Sequence, residues 1–415
     1  MTTSYDPGFR LSPRHASPMA FSGRSRDFLK VLIAGSLFQI PTFGFYRFWM
    51  ITKLRRHLWA NTQIEGESFE YTGTAKELLI GFLIALAVLG PIYIAYFILT
   101  FMAEERYAFA SVPLILIMYV LAHFGSYRAR KYRASRTLFR GIRFWMKGSG
   151  WAYAGRAILW DIATVLTLGL ALPWAMASLE GYRMRHTYFG NVQGGFAGTG
   201  WSLFKHGWWL WVLGLIALIV GSALTVLTSP IGMMFFPHWI VALEGLKFLG
   251  PLVLVVAGIG LLPLAMAIFT RWHIDGLRFA EVSIASKLRL RTFYGLFFKL
   301  ISSSIGFTIA FAVLSGITAA VAGVFLQDSI AGLQGGEMNA TTLSIGILFA
   351  VAYLVFLLGF GVLQRYFLGR GLWAAVVTTT AVSNLRSIDA VVAAGQPAGV
   401  LGEGLADALD FNVGI

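Results

Sequence analysis

The placement of the basic residues constrains this chain more than any other feature. Of 33 Lys and Arg, 31 fall in six polar segments: 1–30, 47–76, 127–156, 178–206, 271–299 and 365–415. Only Arg106 and Lys247 lie elsewhere. Between these segments run apolar stretches at 77–101, 108–126, 208–228, 248–270, 300–326 and 343–363. Each is close to the ~20 residues of helix that cross a hydrocarbon core. Short cytoplasmic loops of membrane proteins collect Lys and Arg, so all six segments belong on the cytoplasmic side. Charged residues make up 13% of the chain, against the ~25% of a soluble domain. The pattern predicts a polytopic α-helical membrane protein.

Two more apolar stretches, 28–50 and 155–178, are each interrupted near the middle. The first breaks at Pro41-Thr42-Phe43-Gly44 and the second at Thr167-Leu168-Gly169 with Pro173 beyond. Pro removes a donor and Gly adds backbone freedom, so both loosen a helix. If both stretches crossed fully, 15 basic residues would lie inside and 18 outside; if both dip in and return, the split is 31 to 2. The charge rule favours re-entry, and such backbone must be buried in protein or line a cavity. Two kinked full spans are the alternative. Re-entry gives six transmembrane helices, two re-entrant or broken elements, cytoplasmic termini, and outer loops at 102–107, 229–247 and 327–341.

The net charge of +14 suits nucleic acid in the abstract. Its position beside the spans argues instead for topology and anionic headgroups, at ~1 kcal/mol per residue. Cysteine is absent, which excludes disulfides and thiolate chemistry. Residues 1–30 lack the apolar core of a cleaved signal peptide.

The basic segments repeat. At an offset of 75, Lys53, Arg55, Arg56, Thr62, Gly66, Phe69 and Gly73 align with Arg128, Arg130, Lys131, Thr137, Gly141, Phe144 and Gly148. Looser copies are Arg183, Arg185, His186, Tyr188, Asn191 and Phe196, then Ile274 to Phe279 with Gly276 matched to Gly66, then Arg365 to Gly369. A fixed period marks one structural unit used several times. Alternation in Thr62-Gln63-Ile64 and Ser68-Phe69-Glu70-Tyr71, with Gly between, reads as a small β-hairpin after a helix end. Five such hairpins can pair into a cytoplasmic β-cap, since a lone hairpin is marginal in water. Five separate interfacial loops are the other reading. The broken stretches match each other at an offset of 125, in parallel orientation, which argues against an inverted-repeat transporter.

These residues resemble the YjgN family of bacterial inner-membrane proteins, a group built on domain of unknown function 898. The likeness rests on Thr167-Leu168-Gly169 with Pro173-Trp174, on Thr62, Gly66 and Phe69-Glu70-Tyr71-Thr72-Gly73, and on the ending Gly402 to Asp410. It covers nearly the whole chain. Phe43 stands where the family pattern has Leu, and Phe48 where it has Pro. The resemblance implies an inner-membrane location and no catalytic assignment.

No chemistry-bearing motif emerges. The seven His form no His-x-x-x-His pair or zinc-spaced cluster, there is no phosphate loop, and Ser302-Ser303-Ser304 opens a span where hydroxyls bond their own helix. The sequence argues against an enzyme and calls for no cofactor or metal. Asp161 is the one carboxylate inside an apolar stretch, and intramembrane acids mark functional sites by default. With Thr164, Thr167 and, more weakly, Gln39, it forms the candidate polar site; pairing with Arg156 near a re-entrant mouth is the structural alternative. Arg55, Arg56, Arg130, Lys131, Arg183 and Arg185 are the candidates to hold anionic headgroups or a partner.

The sequence divides into a basic segment 1–27, a first half 28–154, a second half 155–299, two last spans 300–369 and a strand-rich cytoplasmic tail 370–415. The expected fold is an all-α polytopic membrane protein with short β-hairpins at the cytoplasmic face. Permeation of a small solute or ion leads, and a membrane scaffold that binds lipid or a partner is the rival. The expected partner is the bilayer, with no nucleic acid; a homo-oligomer stays open.

Overall fold

The structure, a computed structural model, describes residues 16–102, 112–229, 234, 246–325 and 340–399. The three expected outer loops fall wholly or largely outside the described residues, and so does the ending 402–410. Along the described chain one pattern recurs: a helix leads into a short strand, a tight turn, a second strand and a helix leading away. α2 (Arg47–Ala60), β2 (Thr62–Ile64), β3 (Glu67–Tyr71) and α3 (Ala75–Met102) form the first unit. α4 (Val112–Ser135), β4 (Thr137–Phe139), β5 (Ile142–Met146) and α5 (Gly150–Leu166) form the second. The third is α6 (Leu172–Arg185), β6 (Thr187–Phe189), β7 (Val192–Phe196) and α7 (Gly200–Leu227). The fourth is α8 (Leu249–Gly276), β8 (Leu277–Phe279), β9 (Val282–Ser286) and α9 (Leu290–Phe325).

The fifth unit is split. α10 (Ala340–Gln364), a π-helical stretch (Arg365–Gly371) and α11 (Leu372–Thr379) lead into β10 (Thr380–Ser383), while β1 (Ala16–Phe21) leads away into α1 (Ser25–Gln39). β1 pairs antiparallel with both β10 and β2, with Ser17 opposite Val382 and Met19 opposite Ile64. The ten strands thereby close into a barrel in the order β1-β10-β9-β8-β7-β6-β5-β4-β3-β2. Closure leaves no strand edge unpaired.

Local chemistry explains the repeated switch from helix to strand. Thr62, Thr137, Thr187 and Thr380 each open a strand, and each hydroxyl donates back to the carbonyl four residues earlier, at 2.7–2.9 Å. That bond satisfies one of the orphan carbonyls of the helix end. The hairpins then turn at Glu65-Gly66 and Arg140-Gly141, all four residues having positive φ, as a two-residue turn matched to strand twist requires. Alternate residues point inward: Ile64, Phe139, Phe189, Val282 and Val382 are buried together. Phe69, Phe144 and Phe279 pack against them, so the lumen is a packed core. Beyond β10, Leu385 and Ile388 of a 3-10 turn join the same core.

Two helix pairs are short. α1, α2, α5 and α6 have 14 to 17 residues, about 21–26 Å each, whereas the 28 residues of α7 or α8 reach about 42 Å. Each short pair leaves the barrel and returns to it through the same turn. Phe43 and Gly44 have φ of 49° and 86°, and Leu168 and Gly169 have 51° and 91°. Gly44 N–H donates to Gln39 O at 2.8 Å and Gly169 N–H to Thr164 O at 2.7 Å, which caps the outgoing helix in a Schellman manner.

The expected all-α architecture is corrected on two counts. The hairpins are not separate ornaments on six transmembrane helices; they and the two outer strands make a closed ten-strand barrel. Among the described residues, five helices are long and apolar enough to cross a membrane: Ala75–Ile98, Gly200–Leu227, Leu249–Gly276, Leu290–Ala320 and Gly346–Thr379. Of the stretch expected at 108–126, residues 112–126 are helical in α4, but the last third of α4 carries Arg128, Arg130, Lys131 and Arg133, which dilute the helix's apolar character. The repeat register is corrected as well. Arg365 to Gly369 lies in the π-helical stretch, and Gly276 ends α8 while the fourth turn is Ala280-Glu281.

The helices follow the strands around the barrel. Each packs on the next in chain order and α10 returns to α1, but α3 and α4 do not pack closely on each other. The five apolar helices bury only 0% to 22% of their most apolar windows inside the protein. Helices apolar on all faces call for apolar surroundings.

Candidate functional site

The separation of α3 from α4 opens a cleft of about 950 Å³. Phe82, Leu86 and Tyr93 of α3 face Tyr119, His123 and Ser126 of α4 across it, and Asp161 of α5 closes one side. Tyr119 and His123 stand four residues apart, one turn of helix, so both reach the same point. Tyr119 Oη donates a short hydrogen bond to Asp161 Oδ2. His123 Nε2 lies 3.0 Å from the same oxygen. The two rings meet edge to face at 4.8 Å. The Asp161 side chain is 41% exposed to the cleft and that of His123 23%.

Asp161 follows the start of α5 at Gly150 by about 16 Å of helix, and His123 precedes the end of α4 at Ser135 by about 18 Å. The three groups therefore converge at one depth, well away from the barrel. A carboxylate, an imidazole and a phenol can together bind a cation or a hydrogen-bond donor, and can pass a proton among themselves.

Other residues of the expected polar site are placed elsewhere. Thr164 Oγ1 donates to Trp160 O at 2.8 Å. Thr167 Oγ1 donates to Ala163 O and accepts from Ala171 N–H. Thr42 makes the equivalent pair of bonds in the other short helix pair, so this Thr builds the turn. Gln39 lies on α1, where Nε2 donates to Gly35 O and approaches Met50 Sδ. Arg156 lies over the Tyr182 ring at 5.2 Å, not beside Asp161. Tyr119 and His123 were missed from sequence; their signal was the Tyr-x-x-x-His spacing inside an apolar stretch.

The basic runs are drawn into the interior to different degrees. Arg55 is 1% exposed and donates to Tyr71 Oη at 3.1 Å. Arg130 donates to Glu180 at 3.1 Å, and Arg183 makes short bonds to Glu180 and Tyr153. Glu180 is buried, with His273 Nδ1 3.7 Å away. Burial pushes the Glu180 carboxyl up, but Arg130, Arg183 and His273 outweigh it and hold its pKa at about 2. Arg56 and Arg185 are exposed and donate to Gly73 O and Gly181 O. Lys131 is half-buried near Arg128. Glu180 and His273 escaped the sequence reading because nothing local marks a pairing between separate helices.

A ring of apolar helices seated on a closed strand barrel, with the basic residues gathered at the barrel, defines a polytopic membrane protein. The chain belongs to the family described as bacterial protein of unknown function (DUF898), which it matches over residues 16–408. It is similar to inner membrane protein YjgN of Escherichia coli strain K12, at 26% identity over 148 residues, 34% of each chain. Similarity to inner membrane protein YjgN of Salmonella typhimurium is 21% over 158 residues, 37% of this chain and 38% of that one. The chain thus spans about a third of the length of these curated relatives, which are named as inner membrane proteins. No solved structure matches it.

Proposed function

We propose that this protein passes a small polar solute or ion through the inner membrane by way of the cleft between α3, α4 and α5, with Asp161 as its binding group. One observation carries the reading: Asp161 accepts from Tyr119 and meets His123 at a single oxygen, in a cleft whose other walls are mostly apolar, with Tyr93 and Ser126 as the further polar side chains. A carboxylate at membrane depth is expensive and is retained where it lines a solute path. In this reading the barrel and both termini face the cytoplasm, as the charge rule requires. The pairs α1–α2 and α5–α6 re-enter from that side without crossing. The site binds and releases and performs no catalysis. Arg56 and Arg185 meet anionic headgroups at the cytoplasmic surface, a supporting role, because Arg55, Arg130 and Arg183 are engaged inside.

The absence of native cysteine makes the test direct. Ala122→Cys and Ser126→Cys place thiols in the cleft, and Ile309→Cys places one on the exposed apolar surface of α9. In proteoliposomes, a membrane-impermeant thiol reagent is expected to label positions 122 and 126 and to spare 309. Asp161→Asn is expected to change the labelling rate at 122 by altering the hydration of the cleft. If positions 122 and 126 are as unreactive as 309, the cleft holds lipid and the permeation reading fails.

A further inference from the structure

Within the Asp161 cleft, Tyr119 Oη and His123 Nε2 both address the same carboxylate oxygen, Oδ2. The other oxygen, Oδ1, has no hydrogen-bond partner among the described residues, and the side chain is 41% exposed to the cleft. An ionised carboxylate only accepts hydrogen bonds, so Oδ1 is open to a donor or a positive charge. Among the described residues the lining holds Asp161 as its one acid and no Lys or Arg. An anion would find no permanent positive charge there.

Aromatic rings bracket the acid. Measured along the helices from the barrel, Asp161 stands about 16 Å out, Phe82 about 10 Å, Tyr119 about 24 Å and Tyr93 about 27 Å. The face of an aromatic ring attracts a cation, and aromatic cages hold quaternary ammonium groups in this way. A hard inorganic cation needs many oxygen ligands, about six to eight for Ca²⁺. Here one carboxylate oxygen is open, and among the described residues no three acids or His gather to hold a metal. The cleft, about 950 Å³, is also far larger than a bare ion. Gly90 of α3 helps to keep it wide: it lines the cleft, and a Cβ added there would meet nothing within 4 Å.

We infer, resting on the permeation reading above, that the cleft takes an organic monocation, a substituted ammonium whose charge faces Asp161 Oδ1 and whose carbon groups lie against the rings. An ammonium headgroup of a lipid would bring its phosphate to the same depth, where the lining offers no Lys or Arg. The ligand is therefore a free solute.

The test uses full-length Ala122→Cys protein in vesicles of phosphatidylglycerol alone, which keeps lipid ammonium groups out. The rate at which an impermeant thiol reagent labels position 122 is followed against added probe. Tetraphenylphosphonium and tetramethylammonium are each expected to slow labelling saturably. Tetraphenylborate, of the same shape and opposite charge, is expected to leave it unchanged, as are Na⁺ and K⁺ at the same concentrations. Asp161→Asn removes the charge partner and is expected to raise the half-protecting concentration of both organic cations about tenfold. Gly90→Leu narrows the cleft and is expected to raise it for tetraphenylphosphonium while sparing tetramethylammonium. No labelling of position 122 without probe overturns the permeation reading and the organic-cation site together. Labelling that neither organic cation slows overturns the organic-cation site alone. So does equal protection by tetraphenylborate, by Na⁺ or by K⁺, and so does protection that Asp161→Asn leaves unchanged. Slower labelling on adding phosphatidylethanolamine to the vesicles, with no probe present, assigns the site to a headgroup and overturns it as well.

Discussion

Glu180 sets the energetics of the barrel rim at the scale of single residues. It is 4% exposed and its carboxylate meets Arg130 and Arg183. Breaking a buried ion pair by removing one partner costs about 3–5 kcal/mol, because the remaining charge stays buried and unpaired. Glu180→Gln is therefore expected to lower the thermal midpoint at pH 7. The pH dependence follows from the depressed pKa, about 2 against an ordinary 4.5. A carboxyl depressed on folding contributes stability above its unfolded pKa and loses it as pH falls through the folded one. The shift corresponds to about 3 kcal/mol. The gap between wild type and Glu180→Gln should be full at pH 7 and narrow between pH 4.5 and pH 2. Melting curves in detergent at pH 7 and pH 3 measure it; an equal gap at both values rules out the charge account. Single residues were also where the sequence was least legible. Asp161 stood out as a lone acid in an apolar stretch, but its partner Tyr119 lies 42 positions away on another helix. Thr164 and Thr167 neighbour Asp161 in sequence and serve the backbone instead. Proximity along the chain misled there, because a Thr hydroxyl inside a helix bonds back to the carbonyl four residues earlier even where it shares a face with the acid.

Among the elements, the repeated unit was readable because its chemistry is local. Thr at the strand start, Gly in the turn and an aromatic inside the second strand each answer a backbone need, and they recur at fixed spacing. The register slipped in the fourth copy because Leu277 replaces the Thr and Ala280-Glu281 replaces the Gly turn. The fifth copy was misplaced at Arg365 to Gly369, since its strands β1 and β10 are split between distant parts of the chain and of the pattern only the opening Thr380 remains. Two glycines of these elements serve different purposes, and substitution separates them. Gly44 has φ of 86°, and a Cβ added there would meet nothing within 4 Å, so Gly44→Ala should cost about 1–2 kcal/mol from left-handed backbone alone. Gly73 needs no positive φ, but an added Cβ would sit 2.6 Å from Tyr71 Oη and 2.7 Å from its ring. Tyr71 is 4% exposed and accepts from Arg55, so it cannot swing away freely. Gly73→Ala should cost about 1–3 kcal/mol by overpacking. It should be partly rescued by Tyr71→Leu, whereas Gly44→Ala should gain nothing from that change. Denaturation midpoints of the four variants decide it; rescue of both glycines or of neither removes the distinction.

For the whole molecule, the decisive contact is the one that joins β1 to β10, because it converts a row of strands into a ring. Sequence alone could suggest that hairpins pair; closure depends on a register between residues 16–18 and 381–383 that no local pattern announces. After β10 the chain crosses the barrel mouth and is held over it. Asn384 Nδ2 donates to Glu281 O at 3.2 Å, Arg140 pairs with Asp389 at 2.8 Å, and Asn191 exchanges backbone and side-chain bonds with Val392. Leu385 and Ile388 sink into the barrel core at 5% and 8% exposure. These two layers of closure make separate predictions. A chain ending at Ser383 keeps all ten strands and loses the strap. Burial of the two side chains stabilises by about 1.5–3 kcal/mol each, so this chain should stay monodisperse in detergent with a lowered thermal midpoint. A chain ending at Thr379 also loses β10, which leaves β1 and β9 as open edges. Unpaired edges template association between molecules, so this second chain should elute as an aggregate on size exclusion while its helices still insert. Four residues thus separate a weakened monomer from an associating one. If the two truncations elute and melt alike, the ring is not the cooperative unit, and the five helix pairs hold together through the bilayer rather than through the barrel.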